Sequence, residues 1–241
     1  MNSVIITIDG KKIKATKGET LVDVAAKNGI YIPTLCYVKD KPCLGTCRVC
    51  SVKVNDYMVS SCTVPISDGM KVEVETDKEG ADMRKALIEF LFVEGNHNCP
   101  SCEKSGRCEL QAVGYETNMM VSRFPYRFPV NERDHASDNI WLERDRCIFC
   151  QRCVEFIKDK ETNQKIFSIS KRGSKSRIEI DIELANKMSL EQVAEAAEMC
   201  PVGCIIDKNL GFNKAIGKRK FEAQTLRERV LAVNGIIKTT K

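Results

Sequence analysis

The chain has 241 residues, of which 43% are hydrophobic and only 6% aromatic, and its formal net charge is +5. This length allows two or three small domains, and the low aromatic content disfavours one large aromatic-rich core. The thirteen cysteines are an odd number, and no signal-peptide pattern precedes them. We therefore expect metal-bound thiolates in a reducing cytoplasm rather than disulfides. The most apolar stretch, residues 86–93, contains Glu89 and is too short to span a bilayer, so no direct membrane contact is expected.

The first 78 residues have the pattern of a β-grasp domain. Residues 4–8 are rich in β-branched residues, an Asp-Gly turn follows, and residues 12–15 form the returning strand, which is typical of a hairpin. Residues 20–28 predict a short amphipathic helix that ends at Gly29. Further strands are expected at 52–54 and 70–74. A sheet curled over one helix should result, with a cysteine-bearing loop between them.

Four cysteines of this domain have the spacing C-x10-C-x2-C-x11-C: Cys36, Cys47, Cys50 and Cys62. Their loop is rich in Gly, Pro and Thr, and such a loop can turn backbone N–H groups toward the sulfurs of a [2Fe-2S] cluster. A zinc knuckle is the alternative, but zinc sites usually use two close cysteine pairs, whereas Cys36 and Cys62 stand alone. Cys43 is expected to be a loop residue with a spare thiol.

A second group of ligand-type residues lies in residues 95–110, after a helix predicted over 78–94: His97, Cys99, Cys102 and Cys108. Three thiolates and an imidazole favour zinc, copper(I) or an iron–sulfur cluster. The only other histidine, His135, lies in a charged segment with no cysteine near it in the sequence. Residues 110–130, which follow the group, are expected to be irregular.

The third group begins with the strongest local motif of the chain, C-x2-C-x2-C, formed by Cys147, Cys150 and Cys153. In bacterial ferredoxins a fourth cysteine follows three residues later and serves a second cluster, but here Ile157 occupies that position. Cys200, in the CPVGC sequence at 200–204, is therefore expected to complete one [4Fe-4S] site. Cys204 is expected to be a buried spare; its use as the ligand in place of Cys200 is the alternative.

The rest of the chain has weaker signals. A strand pair is expected at 166–169 and 178–182, and a helix at 190–199. The basic run 214–229 is expected to be solvated or to face another subunit. Two four-thiolate clusters and one with a histidine would together carry about −5, which is about what the basic surplus neutralises, so nucleic acid is not an expected partner. No G-x-G-x-x-G or G-x4-G-K-[ST] motif indicates a nucleotide or flavin site.

Residues 33–54 (PTLCYVKDKPCLGTCRVCSVKV) and 61–72 (SCTVPISDGMKV) resemble the N-terminal ferredoxin domain of the large iron–sulfur subunit of respiratory complex I, of iron-only hydrogenases and of hydrogenase diaphorase subunits. Residues 94–99 (EGNHNC) are similar to the diaphorase branch. In the other branches the histidine usually lies four residues before the first cysteine, where Gly95 stands here. The resemblance implies a [4Fe-4S] cluster held by His97 and three cysteines. The alternative is that His97 is a nearby hydrogen-bonding residue and that water or another group occupies the fourth iron site.

Residues 205–222 (IIDKNLGFNKAIGKRKFE) resemble the end of the small diaphorase subunit of NAD-reducing nickel–iron hydrogenases. The resemblance implies an α+β protein with three domains: a β-grasp [2Fe-2S] ferredoxin domain (1–78), a helical one-His/three-Cys [4Fe-4S] domain (79–138) and a ferredoxin-like [4Fe-4S] domain with a C-terminal tail (139–241). It also implies a cytoplasmic, non-catalytic electron relay. Its partners would be a flavin- and NAD(P)H-binding diaphorase subunit and a nickel–iron hydrogenase small subunit or equivalent redox module.

Three alternatives remain at this stage. The same relay could serve a bifurcating transhydrogenase or a formate dehydrogenase, because partner identity is not written in these residues. A zinc-ribbon binding module belongs to another class, and it would be colourless where an iron–sulfur protein is brown and releases acid-labile sulfide. A free-standing ferredoxin is the least favoured, since ordinary ferredoxins lack the histidine-containing section.

Overall fold

The computed structural model describes residues 3–238. The chain forms two compact units, each built from more than one segment. The first unit contains Met1–Glu89, Val113–Arg123 and Ala223–Lys241, and the second contains Phe90–Ala112 and Phe124–Glu222. The predicted division into three domains stays a prediction.

The first unit contains a five-stranded mixed sheet. Its strands are β1 (Ser3–Ile8), β2 (Lys11–Thr16), β3 (Ser51–Val54), β4 (Tyr57–Ser60) and β5 (Lys71–Glu73). They lie in the order β2-β1-β5-β3-β4, with β1 and β5 parallel and the other neighbours antiparallel. The predicted hairpin and both later strands are present.

Strand β4 was not expected. It pairs with β3 through a two-residue turn at Asn55 and Asp56, whose φ angles are 46° and 70°. Two adjacent left-handed residues of this type form the hairpin turn that matches the twist of antiparallel strands. The Asn-Asp pair was therefore a usable signal for this strand.

Helix α1 (Leu21–Lys27) lies against this sheet, as the sequence predicts. The Thr20 side chain accepts a hydrogen bond from the Asp23 amide and so begins the helix. Gly29, at φ +79°, follows its end. The apolar side chains of α1 share one buried cluster with the sheet, which is the packing expected of a β-grasp domain.

Helix α2 (Lys78–Val93) begins in the first unit and confirms the helix predicted over 78–94. Arg84 of this helix is buried and donates from Nη1 to the Ser51 carbonyl at 3.0 Å and from Nη2 to the Val74 carbonyl at 2.8 Å. These two bonds join the helix to the end of the sheet that bears the cysteine loop.

The expectation of irregular structure over 110–130 was wrong at its start, because residues Glu109–Glu116 form helix α3. Leu110 and Val113 are fully buried and lie three residues apart, as on one helix face. The basic run 214–229 contains α7 (Lys220–Ala223) and enters α8 (Leu226–Val233). Neither short helix has a buried residue among its members, which agrees with the expected solvated segment.

In the second unit two short strands bring distant parts of the chain together. Strand β6 (Ile140–Leu142) pairs antiparallel with β9 (Ile205–Asp207). One residue beyond each strand, the Glu143 amide donates to the Cys204 carbonyl at 2.7 Å. This ladder was not predicted, and it sets the C-x2-C-x2-C segment beside the CPVGC sequence.

Further elements of the second unit lie between β6 and β9 in the sequence. Strands β7 (Phe167–Ser170) and β8 (Arg177–Ile180) form the predicted pair. The predicted helix at 190–199 is α6 (Leu190–Met199), begun by a capping box between Ser189 and Gln192. Two short helices, α4 (Arg152–Phe156) and α5 (Ile182–Lys187), were not predicted. Within residues 3–238, no helix has both the length and the apolar character needed to cross a bilayer.

The Arg84 contacts predict a large stability effect. Arg84→Met should lower the free energy of unfolding by about 2–4 kcal/mol, because two buried carbonyls lose charge-assisted hydrogen bonds. Anaerobic urea unfolding followed by circular dichroism measures the loss. Lys78→Ala, an exposed change at the start of the same helix, is the control and should have almost no effect. Equal stability of the two variants would contradict the role given to Arg84.

Candidate metal centres

The structure brings the first four predicted cysteines together in the first unit. All four are buried, and none is in a disulfide: Cys36, Cys47, Cys50 and Cys62. The sulfurs of Cys50 and Cys62 are 3.2 Å apart, and the Cys36 thiol hydrogen-bonds to those of Cys47 and Cys62. The group therefore forms one connected set of sulfurs.

Hydrogen bonds within this set divide the thiols into two classes. Bonds from Cys47 and Cys62 lower the pKa of Cys36 well below the usual thiol range, and the bond from Cys62 lowers the pKa of Cys50 to about 6. The pKa values of Cys47 and Cys62 are raised, because each faces a neighbouring thiolate and is desolvated by burial. A metal centre needs all its cysteine ligands as thiolates, so cation binding would remove this competition for protons.

Backbone N–H groups of the loop point toward these sulfurs. The amides of Leu35 and Val49 hydrogen-bond to Cys47, and the Cys47 amide bonds to Cys36. The loop turns at Gly45, whose φ is +64° and where a Cβ atom would lie 2.6 Å from Cγ2 of Thr63. Amide donors to sulfur are the contacts that tune iron–sulfur clusters, so the loop fits such a group.

Cys43, expected to be a spare thiol, also belongs to this neighbourhood. It is half-buried, and its thiol hydrogen-bonds to that of Cys62. Burial raises its pKa. Its role as a spare stays a prediction, but its position is beside the predicted ligands rather than apart from them.

The second predicted group lies in the second unit, around a 3-10 helix at Cys99–Ser101. Burial raises the pKa of the three thiols, that of Cys108 to about 12, and each is also affected by the charge of another cysteine of the group or of Arg146. The amides of Lys104 and Ser105 hydrogen-bond to Cys102, and the Gln111 amide donates to the Cys108 sulfur at 3.4 Å.

His97 is arranged as a ligand would be. Its Nε2 is buried and has no hydrogen-bond partner among the described residues, while the ring bonds to the Leu91 backbone. Burial lowers its pKa to about 4, so the imidazole is neutral at pH 7. Ligating histidines commonly fix one ring nitrogen on a carbonyl and present the other to the metal.

Gly95 leaves space for the His97 ring. A Cβ atom at Gly95 would lie 2.3 Å from Nε2 of His97. The ring therefore fills the space where a side chain at position 95 would begin. The other histidine, His135, lies against the Trp141 ring with centroids 4.2 Å apart.

The third group gathers its cysteines around two left-handed residues. Phe149 and Gln151 have φ angles of 52° and 63°, and they turn the backbone between successive cysteines of the motif. The charge of Cys200 affects both Cys150 and Cys153, so the distant cysteine reaches the motif as predicted.

Both cysteines of the CPVGC sequence belong to this group. Cys200 directly follows helix α6, and its hydrogen bond with Cys204 lowers its pKa to about 6. The Cys204 thiol bonds to Cys147 and Cys200, which raises its pKa. Cys200 as the ligand and Cys204 as a spare remain a prediction.

Within residues 3–238, no three side chains of His, Cys, Asp or Glu converge as they would around a single metal ion.

The second and third groups adjoin one another at Gly203. A Cβ atom there would lie 2.7 Å from the Cys102 sulfur, 3.2 Å from Cβ of Lys104 and 3.4 Å from Cδ of Arg146. The glycine thus lets the CPVGC turn contact the loop that carries Cys102. The two sets of ligand-type residues are therefore neighbours at Gly203.

Sequence reasoning missed three cations near these groups, of which Lys104 and Arg152 are buried and Arg146 is partly buried. Arg146 pairs with Glu103 at 2.9 Å, and Arg152 pairs with both carboxylate oxygens of Glu109 at 2.9 and 2.7 Å. Lys104 is 3% exposed. Their positions inside or beside the cysteine motifs were the available signal.

Comparison with known proteins gives matches along most of the chain. Residues 1–77 match the 2Fe-2S iron-sulfur cluster binding domain, and 84–123 match the NADH-ubiquinone oxidoreductase-G iron-sulfur binding region. Residues 137–206 match the ferredoxin-like domain of NADH-quinone oxidoreductase subunit 3.

The gamma subunit of the NAD-reducing hydrogenase HoxS from Cupriavidus necator is 69% identical over 229 residues, which are 95% of this chain and 97% of that protein. This chain belongs to the family of gamma subunits of NAD-reducing hydrogenases. As a family member it is an iron–sulfur, electron-transfer subunit with 2Fe-2S and 4Fe-4S binding domains.

Two further comparisons agree with this membership. A chain in the crystal structure of an NAD+-reducing [NiFe]-hydrogenase in the H2-reduced state superposes with a TM-score of 0.84 and 34% identity, covering 93% of this chain and 96% of that one. The alpha subunit of the NADPH-Fe(3+) oxidoreductase of Geobacter sulfurreducens is 32% identical over 213 residues, which are 87% of this chain but only 24% of that protein.

Proposed function

We propose that this chain relays electrons through one [2Fe-2S] and two [4Fe-4S] clusters between a flavin- and NAD(P)H-binding diaphorase subunit and a nickel–iron hydrogenase module, in the cytoplasm. The observation that carries the proposal is the gathering of three ligand groups in a member of the hydrogenase gamma-subunit family. When bound, the clusters would supply one-electron redox chemistry, and the chain itself would hold and insulate them.

The proposed ligands are the twelve residues predicted from the sequence. Cys36, Cys47, Cys50 and Cys62 would hold the [2Fe-2S] cluster; His97, Cys99, Cys102 and Cys108 one [4Fe-4S] cluster; and Cys147, Cys150, Cys153 and Cys200 the other. Buried thiols, amides directed at sulfur and the unpartnered Nε2 of His97 support this donor set. The protein would tune the clusters through these hydrogen bonds, burial and ligand identity.

The alternatives have less support. A hydrogenase gamma subunit and a chain of an NAD+-reducing hydrogenase match this chain over more than nine tenths of both lengths, which favours a hydrogenase over a transhydrogenase or formate dehydrogenase. The matched domain families are iron–sulfur families, which favours clusters over a zinc ribbon.

Assay of the assembled complex tests the relay. Cys102→Ala should remove one [4Fe-4S] cluster and lower hydrogen-dependent NAD reduction at least about tenfold, because one centre of the relay is missing. Dye reduction by hydrogen and dye reduction by NADH should both persist, since each uses only one end of the complex. Full coupled activity in Cys102→Ala, loss of either half-reaction, or a colourless wild-type chain that holds only zinc would contradict the proposal.

The ligand role of His97 has a matched control in the second histidine. His97→Ala should lose the electron paramagnetic resonance signal of one [4Fe-4S] cluster, and the iron content should fall by up to about four atoms per chain. His135→Ala should keep both the signal and the iron. If His97→Ala retained all three signals unchanged, His97 would be a neighbouring hydrogen-bonding residue and not a ligand.

The two cysteines of the CPVGC sequence can be separated in the same way. Cys200→Ser should lower the iron content, because a serine hydroxyl replaces a proposed thiolate ligand. Cys204→Ser should keep the full iron and acid-labile sulfide content. The reverse pattern would exchange the two assignments.

A further inference from the structure

We propose that Lys104 is a buried cation shared by the two [4Fe-4S] sites, and that its ammonium group raises the reduction potential of both. This inference rests on the proposed cluster binding and adds a positioning residue that the ligand set does not include. Lys104 lies between Cys102 and Cys108 in sequence and contacts the helix that ends at Cys200.

The location of the ammonium group is the first step. The Lys104 side chain is 4% exposed, and its Nζ donates to the Ala197 carbonyl at 2.6 Å. Ala197 lies in the last turn of helix α6, whose C-terminal carbonyls carry partial negative charge. The lysine therefore extends from the loop of the second group to helix α6, which directly precedes Cys200 of the third group.

The backbone of the third group lies against the same side chain. A Cβ atom at Gly203 would be 3.2 Å from Cβ of Lys104 and 2.7 Å from the sulfur of Cys102. Lys104 is also two residues from Cys102 in the sequence. One cation thus lies beside both groups.

The charge of Lys104 is less compensated than that of the neighbouring arginines. Arg146 and Arg152 each pair with a carboxylate at 2.9 Å or less. The Glu198 carboxylate is 3.5 Å from Nζ of Lys104, and the Glu198 side chain is 46% exposed. Glu198 also pairs with Lys220. A half-exposed, shared carboxylate at this distance offsets little of a buried charge.

The effect on electron uptake follows from charge alone. Each cluster would accept one electron, with no bond made or broken and no proton required, and would become one unit more negative. A fixed positive charge favours the more negative form, and it does so more strongly where water is excluded. Lys104 therefore favours the reduced form at both sites.

The test is a redox titration of the full chain, loaded with iron and sulfide and followed by electron paramagnetic resonance. Lys104→Gln keeps a hydrogen-bond donor but removes the charge. At the wild-type midpoint the ratio of reduced to oxidised [4Fe-4S] cluster should fall about tenfold at both sites, the effect of a unit charge about 10 Å away at an effective dielectric constant of about 20. For one electron this is a shift of about 59 mV.

Three controls accompany this variant. The [2Fe-2S] potential should stay unchanged in Lys104→Gln. Lys104→Arg should keep both [4Fe-4S] ratios within about twofold of wild type, because the charge is retained. Lys187→Gln, which removes an exposed lysine at the end of α5, should also leave both ratios unchanged.

Several outcomes would overturn the proposal. Unchanged potentials in Lys104→Gln with full iron content would do so, as would a shift at only one site or an equal shift in Lys104→Arg. If Lys104→Gln fails to hold iron, Lys104→Arg and Glu198→Gln decide. The first must keep both potentials, and the second must raise both slightly, because it removes the carboxylate that offsets a small part of the ammonium charge. A wild-type chain without iron and sulfide would contradict the proposed function instead.

Discussion

The structure depends on placing groups of three to five cysteine sulfurs in or near the interior of a small protein. A buried anion costs several kcal/mol unless hydrogen bonds or opposite charges offset its loss of water. Burial raises the pKa of the thiols in the second group, which expresses this cost directly. The loops, caps and cations around the sulfurs are arranged so that the cost is met locally.

The first and third groups each include a cysteine that is distant in sequence, and the fold brings it in through regular structure. In the first unit, β4 returns the chain to Cys62 beside Cys50. In the second unit, the three-residue pairing of β6 with β9 holds Cys204 and Cys200 beside the motif that begins at Cys147. Loops carry the sulfurs, whereas the strands determine which loops meet.

The sequence predicted what is encoded locally. Cysteine spacing predicted a ligand set for each group, which stays a prediction, and the periodicity and caps of α1 and α6 predicted both helices. Strands β6 and β9 were not predicted, because three residues are too few to show an alternating pattern. Helix α3 was not predicted, because an internal glycine weakens the helical signal. The partners of Lys104, Arg146 and Arg152 were not predicted, because ion pairs between distant residues produce no pattern in the sequence.

The two units meet the cost of buried sulfur in different ways. In the first, the thiols are influenced mainly by one another and by amides such as those of Val49 and Cys47. In the second, the charges of Arg146, Arg152 and Lys104 act on the cysteines as well. An amide dipole acts mainly on the sulfur to which it hydrogen-bonds, whereas a buried charge acts over several ångströms. Cations can therefore serve two adjoining groups at once, which suits the paired sites around Gly203, while amides suit the single group in the first unit.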